Sequence, residues 1–177
     1  MALSRTVNAV LLAAALAIAT IAGAAESAAA SDRPAVRSSV PRVKAPAPLT
    51  AAAAVARRYW GAVPCQGQVK VIAQRALTAG LDPTTDAWVT FDSALGANNL
   101  AAPANSYSNC TISFARWRWA TSASMNEDWD MVCTTMIHEI GHLLGHPHDL
   151  TPGSVMAPVF TDHSNVPSIC RTTRRAR

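Results

Sequence analysis

Apolar and polar residues alternate in three short runs of the chain, a period that is typical of β-strands. The runs cover 69–73, 87–91 and 110–117, and each contains β-branched or aromatic side chains that favour a strand. The segment 92–109 is rich in Gly, Asn, Pro and Ser, which predicts a loop. Residues 74–80 fit a short helix. The pattern therefore predicts a short sheet built from three strands.

Further along the chain the apolar positions recur at helical spacing. They form one wide stripe, made of Met131, Val132, Met136, Ile137, Ile140, Leu143 and Leu144. A stripe of this width predicts a largely buried helix. Ser124 stands three residues before Glu127, the spacing of a capping box, so we expect the helix to open there. Gly145 suits a left-handed C-terminal cap, and Pro147 prevents the helix from resuming.

The beginning of the chain has the layout of a secretory signal peptide over 1–30. One early cation, Arg5, precedes an apolar run over 9–22, and small residues follow, with cleavage expected after Ala25 or Ala30. The alternative is an uncleaved membrane anchor, for which the run is short against the roughly 20 residues that a span needs. The layout therefore predicts a secreted, extracellular protein.

The next segment, 31–58, is rich in Ala, Pro, Ser and basic residues, which predicts a linker or a pro-segment. Arg57 and Arg58 end it and form a candidate processing point. The folded domain is expected over 59–170, followed by a basic tail, 171–177. A domain of roughly 110 residues buries a modest core, so cross-links and a bound metal would stabilise it.

The net charge of +4 arises mainly outside the expected domain. From residue 57 to the end there are ten Lys and Arg against nine Asp and Glu. The excess lies in the preceding segment, and four arginines lie in the tail. Scattered cations of this kind do not form a nucleic-acid-binding face, so we expect no nucleic-acid partner.

The four cysteines, Cys65, Cys110, Cys133 and Cys170, all follow the signal segment. An even number in a small exported chain favours two disulfides over free buried thiols. Three pairings are possible. We prefer Cys110 with Cys133, which ties a strand to the next helix, and Cys65 with Cys170, which ties the two ends of the domain.

Four of the five histidines fall within "HEIGHLLGHPHD", residues 138–149. His138 and His142 are four apart, so both imidazoles lie on one face of the predicted helix, where they can share an ion. With Glu139 between them they form H-E-x-x-H, an arrangement of zinc peptidases. The alternative is a buried helix in which the two histidines are hydrogen-bonded core residues and bind no metal.

A third imidazole follows on the chain. His148 arrives after the turn at Gly145, and three imidazoles with an open fourth position are the composition of a catalytic zinc site. Cys133 would close the site as a fourth ligand, but it lies about 140° around the helix from His138 and should face elsewhere. His146, in the loop between, is expected to be an exposed bystander, and His163 a surface residue.

These residues resemble a known signature. "HEIGHLLGHPH" is similar to the H-E-x-x-H-x-x-G-x-x-H of metzincin metallopeptidases, and Met156 in "PGSVMAP" resembles their methionine-turn. The context is most similar to the matrixins. The small exported layout also resembles snapalysins, although those have aspartate where this chain has His148. The resemblance is confined to about 131–158.

The resemblance implies an α+β fold: a small trimmed metzincin-like domain with a short twisted sheet packed on a long zinc-binding helix. It implies that His138, His142 and His148 bind one catalytic Zn²⁺ and that Glu139 is the general base. Met156 would support the site from below. Gly145 would let the chain turn back. Asp149 would orient a ligand or the methionine-turn, or would be a plain surface carboxylate.

The implied function is that of a secreted zinc-dependent endopeptidase, a monomer free of the membrane, which hydrolyses extended peptides or proteins. The alternative is an exported binding module that zinc merely stabilises. The strand at 110–117 is expected to pair with the substrate, and Trp117, Trp119 and Trp129 are expected to be core residues rather than subsites. The chain contains no evident calcium loop and no second His/Asp cluster for a structural zinc.

Overall fold

The computed structural model describes residues 45–75, 77, 80–160 and 163–175. For residues 174 and 175 it describes the backbone alone. The predicted signal peptide and residues 31–44 of the predicted linker lie outside the described residues. The elements, in chain order, are α1 (Ala47–Trp60), β1 (Lys70–Gln74), β2 (Ala87–Asp92), β3 (Ser108–Ala115), α2 (Ser122–Glu127), α3 (Trp129–Leu143) and α4 (Ser168–Arg175). Among the helices described, none is long and apolar enough to cross a bilayer.

The three predicted strands are confirmed and form one mixed sheet in the order β1-β3-β2. β3 is the central strand: it runs parallel to β1 and antiparallel to β2, so that Ile112 pairs with Val71 on one side and Val89 on the other. Gln74 belongs to β1, so the short helix predicted over 74–80 does not begin there. The fold is the small α+β domain that was expected.

Helix α3 lies at the centre of the packing. All of its residues except Asp130 are buried, which confirms the predicted buried helix. It contacts α1 most extensively, and also β2, β3 and α4. Phe114 of β3 and Met136, Ile137 and Ile140 of α3 belong to the same core, each at most 2% exposed. The helix is therefore fixed from several sides.

Helix α1 corrects the linker predicted over 31–58 and the domain start at residue 59. It begins at Ala47, and its inner face is buried in the core through Leu49, Ala52, Val55 and Ala56. Small alanines allow α1 to lie close to α3, but by composition alone they resemble a linker. Arg57 and Arg58 lie in the last turn of α1, where cations complement the helix dipole. The candidate processing point is thus part of a folded helix.

The single helix predicted from Ser124 is two helices, with Asp128 between them. The capping box is also one turn earlier than predicted. Thr121 is the N-cap of α2: its hydroxyl accepts from the Ser124 N–H, and the Ser124 hydroxyl accepts from the Thr121 N–H, both at 3.1 Å. Glu127 therefore ends α2 instead of closing a capping box.

The number of disulfides is as predicted, but the preferred pairing is wrong. The bonds join Cys65 to Cys110 and Cys133 to Cys170. Because β1 and β3 are parallel, the turn before β1 and the start of β3 lie at the same end of the sheet, which brings the first pair together. Cys133 faces α4, so it is no metal ligand, as expected from its position around the helix.

Helix α4 also corrects the predicted domain end at 170 and part of the basic tail, 171–177. It continues to Arg175, and residues 176–177 lie outside the described part. Trp129 lies beneath it: its indole N–H donates to the Cys170 carbonyl at 3.0 Å. Trp129 and Trp119 are core residues, as predicted, whereas Trp117 is 53% exposed.

Candidate metal centre and cleft

Helix α3 and the loop that follows it bring three histidines together. His138 and His142 are buried on one face of α3, and the exposed His148 returns from the loop. One ring nitrogen of each lies within 4.8 Å of those of the other two. Among the described residues, no other group of three or more His, Cys, Asp or Glu side chains could hold a metal ion.

The hydrogen bonds of the two helical histidines show which nitrogen faces the centre. His138 Nδ1 lies 2.9 Å from the Val155 carbonyl, and His142 Nδ1 lies 2.8 Å from the His146 carbonyl. A carbonyl oxygen only accepts, so each Nδ1 carries the proton and donates it. Each neutral ring therefore presents a lone pair at Nε2.

These two lone pairs face each other. His138 Nε2 and His142 Nε2 are 3.0 Å apart, yet with both protons at Nδ1 neither can donate to the other. A shared cation stabilises such a pair. Zinc–nitrogen bonds of about 2.0–2.1 Å in tetrahedral geometry place two ligand nitrogens roughly 3.3 Å apart, close to the observed spacing. The donor set therefore fits a zinc ion.

The electrostatics favour the form that binds metal. Burial lowers the pKa of His138 to about 4, helped by His142 and His148 and opposed by the hydrogen bond to Val155. Burial also lowers the pKa of His142. A lowered pKa keeps an imidazole neutral at pH 7, and the neutral ring is the ligand.

Glu139 lies in the wall of the same cleft and is only 5% exposed. Burial raises its pKa to about 8. A divalent cation between the neighbouring imidazoles acts in the opposite direction, because an adjacent positive charge favours the carboxylate. The two effects together suit a group that gains and loses a proton near neutral pH.

Met156 packs against α3 at Gly141, the residue before His142. Gly141 makes this possible: a Cβ there would stand 2.5 Å from Met156 Sδ and 2.9 Å from Trp60 Cζ2. Val155, its neighbour, supplies the carbonyl that accepts from His138. The turn that contains Val155 and Met156 therefore lies against α3 and contacts it at His138 and Gly141.

Two of the predicted supporting residues shape the loop. Gly145 has a φ of +90°, a left-handed conformation that reverses the chain after α3. The Asp149 N–H donates to the Met156 carbonyl at 2.9 Å, while its carboxylate accepts from the Thr151 N–H and hydroxyl. The Asp149 carboxylate is also hydrogen-bonded by the Ser154 side chain, whose hydroxyl in turn accepts from the Met156 N–H at 3.2 Å. Both the backbone and the side chain of Asp149 therefore hold the loop that carries Met156.

The remaining histidines do not join the centre. His163 is exposed in a short 3₁₀ turn. His146 is exposed, as predicted, but its ring stacks on Trp60 with centroids 4.4 Å apart and planes 16° apart. Sequence reasoning missed this contact, because Trp60 and His146 are far apart in the chain and only the packing of α1 on α3 brings their rings together.

A cleft of about 1050 Å³ runs past the centre. Residues 85–89 and Phe91, mostly of β2, form one wall, and residues 157–160 form another. Phe160 meets His138 edge to face at 5.6 Å. Trp117 and Arg118 line the cleft as well, and Arg118 forms an ion pair with Asp86 at 3.2 Å.

The strand order corrects the expected substrate strand. Residues 110–117 belong mainly to β3, whose two edges are already paired with β1 and β2. Among the described strands, β2 is the one that both lines the cleft and has a free edge, although the N–H and carbonyl of its Phe91 are already hydrogen-bonded to Asn98. The strand that precedes α3 in sequence is therefore not the strand whose edge borders the cleft.

Comparison with known proteins agrees with the geometry. The family model described as matrixin matches residues 82–170, half of the chain, which includes β2, β3, α3 and the three clustered histidines. No curated protein and no solved structure matches the chain. Helix α1 and β1 lie outside the matched residues.

Proposed function

Because the chain belongs to the matrixin family of zinc metallopeptidases, we propose that it is a secreted endopeptidase with a single zinc site. His138, His142 and His148 hold the ion, and Glu139 is the general base. The observation that carries this proposal is the pair of Nε2 lone pairs facing each other at 3.0 Å. The two disulfides fit an oxidising compartment.

The chain's own groups have distinct tasks in hydrolysis. When bound, zinc supplies an activated water and polarises the scissile carbonyl. The Val155 and His146 carbonyls hold the His138 and His142 rings in one tautomer. Glu139 takes a proton from the attacking water and delivers it to the leaving amine nitrogen. No covalent bond between enzyme and substrate is required.

The free edge of β2 is the proposed substrate-binding element. An extended peptide that adds to this edge hydrogen-bonds through its main chain, which gives affinity with little dependence on sequence. In this proposal the peptide lies in the cleft between β2 and residues 157–160, past His138 and Glu139, which all line it. The proposed substrates are therefore extended segments of peptides or unfolded proteins, and the proposed enzyme is a monomer.

The function is tested by incubating the purified, zinc-loaded protein with casein and a peptide library. We expect cleavage that a chelator abolishes and that added zinc restores, because the ion is held by three side chains without covalent attachment. Newly formed termini are identified by mass spectrometry.

Two variants make this test specific. His142→Ala removes a buried group of the centre and should abolish cleavage, whereas His163→Ala removes an exposed imidazole outside it and should not. A folded, zinc-loaded wild type that cleaves nothing would support the alternative, a binding module that zinc merely stabilises.

A further inference from the structure

Trp60, the last residue of α1, contacts α3 at two points, each directly before one of the helical histidines. Its indole N–H donates to the Ile137 carbonyl at 2.9 Å, one residue before His138. Its ring also lies so close to α3 that a Cβ on Gly141 would stand 2.9 Å from Cζ2. Gly141 immediately precedes His142. The indole therefore packs on the helix backbone at the level of the metal centre.

The same indole also contacts the loop that delivers the third histidine. It stacks on the His146 ring with a centroid distance of 4.4 Å and an interplanar angle of 16°. His146 stands two residues before His148, in a stretch that is otherwise exposed to solvent. Stacking of an aromatic pair contributes about 0.5–1.5 kcal/mol beyond the area it buries. It restricts an otherwise solvated loop.

The stack of Trp60 on His146 is connected to the metal centre through the His146 backbone. The His146 carbonyl accepts the Nδ1 proton of His142 at 2.8 Å, and this contact directs His142 Nε2 toward His138. Displacement of residue 146 would remove that acceptor and free the His142 ring to rotate or to change tautomer. Partners of this kind hold ligand histidines in the orientation that binds metal.

From these contacts we propose that Trp60 is a positioning residue of the zinc centre. It fixes His146 by stacking, so that the His146 carbonyl holds His142 and the loop holds His148 near the ion. The inference rests on the proposed zinc site. It gives a part in metal binding to α1, a helix that lies outside the residues matched by the family model. His146 acts through its ring stack and its carbonyl and is not a ligand.

Zinc affinity, measured by competition with a chromophoric chelator, tests this role without relying on activity. Trp60→Leu, which loses both the stack and the indole N–H, is expected to weaken zinc binding by about 10–100-fold. Trp60→Phe keeps a ring and loses only the indole N–H, so its loss should be smaller. The cobalt-substituted protein should show an altered visible spectrum in Trp60→Leu, because His142 changes orientation.

Two further comparisons separate positioning from general packing. Val55→Ala truncates a buried residue of the same helix away from the stack, so it should lower the unfolding temperature but leave zinc affinity within about twofold. His146→Ala should weaken zinc binding, and His146→Phe, which restores an aromatic face without an imidazole, should recover most of that loss. This recovery would also exclude His146 as a ligand.

The outcomes are distinct. If the wild type binds no zinc, the proposed function itself fails. If the wild type binds zinc, but His146→Ala and the folded Trp60 variants bind zinc with the same affinity as the wild type, the positioning role is overturned. If Val55→Ala weakens zinc binding as much as Trp60→Leu does, the effect is one of stability, and the role of Trp60 is likewise overturned.

Discussion

Glu139→Gln is expected to lower the rate of peptide hydrolysis by roughly 10²–10⁴-fold while the protein still binds one zinc per chain. The amide has nearly the shape of the carboxyl group but cannot take a proton from the attacking water. The metal ligands are imidazoles and are unchanged, so the zinc content should be preserved. The group is buried, and a neutral amide carries no charge into that environment, so we expect the fold to persist.

The measurement pairs zinc content with hydrolysis of one defined peptide, identified from the casein digest. Glu127→Gln is the matched control: Glu127 is exposed at the end of α2 and lies outside the cleft, so the same chemical change there should leave the rate within about twofold. Full activity in Glu139→Gln would contradict the assigned role of Glu139. Loss of zinc from that variant would mean that the carboxylate belongs to the metal site itself.

A chain that starts at Tyr59 is expected not to fold, whereas a chain that starts at Ala45 should fold and bind zinc. The shorter chain lacks nearly all of α1, the helix that contacts α3 most extensively, and with it buried side chains such as Leu49 and Val55. Burial of a Leu or Val side chain stabilises by about 1.5–3 kcal/mol, and the whole domain is expected to be stable by only about 5–15 kcal/mol.

Thermal unfolding followed by circular dichroism distinguishes the two chains. Leu49→Ala in the longer chain serves as a graded control, because loss of a fully buried leucine should cost about 2–5 kcal/mol and lower the unfolding temperature without abolishing the transition. A chain beginning at Tyr59 that unfolds as cooperatively as the longer one would contradict the position of α1 in the core.

Features set by local pattern were predictable from the sequence. Alternation of apolar residues located all three strands, and the wide apolar stripe located the buried helix α3. The spacing of His138, His142 and His148 predicted that the rings would meet, because four residues span one helical turn and Gly145 allows the reversal that follows. The clustered histidines were therefore predictable before any tertiary contact was known.

Features set by tertiary contacts were not predictable in this way. The inner face of α1 consists largely of alanine, which has the composition of a linker until α3 is packed against it. The disulfide pairing follows from the parallel alignment of β1 with β3, and the free edge at the cleft follows from the central place of β3. The stack of Trp60 on His146 joins residues 86 positions apart in the chain, so no local pattern indicates it.

X-ray absorption at the zinc edge of the purified protein tests the central claim most directly, since the claim is that three imidazoles hold the ion and leave a position open for chemistry. We predict three imidazole nitrogens at about 2.0–2.1 Å and at least one oxygen from solvent, with one imidazole fewer in His148→Ala. A closed site with a fourth protein nitrogen, or one with any sulfur ligand, would contradict the account.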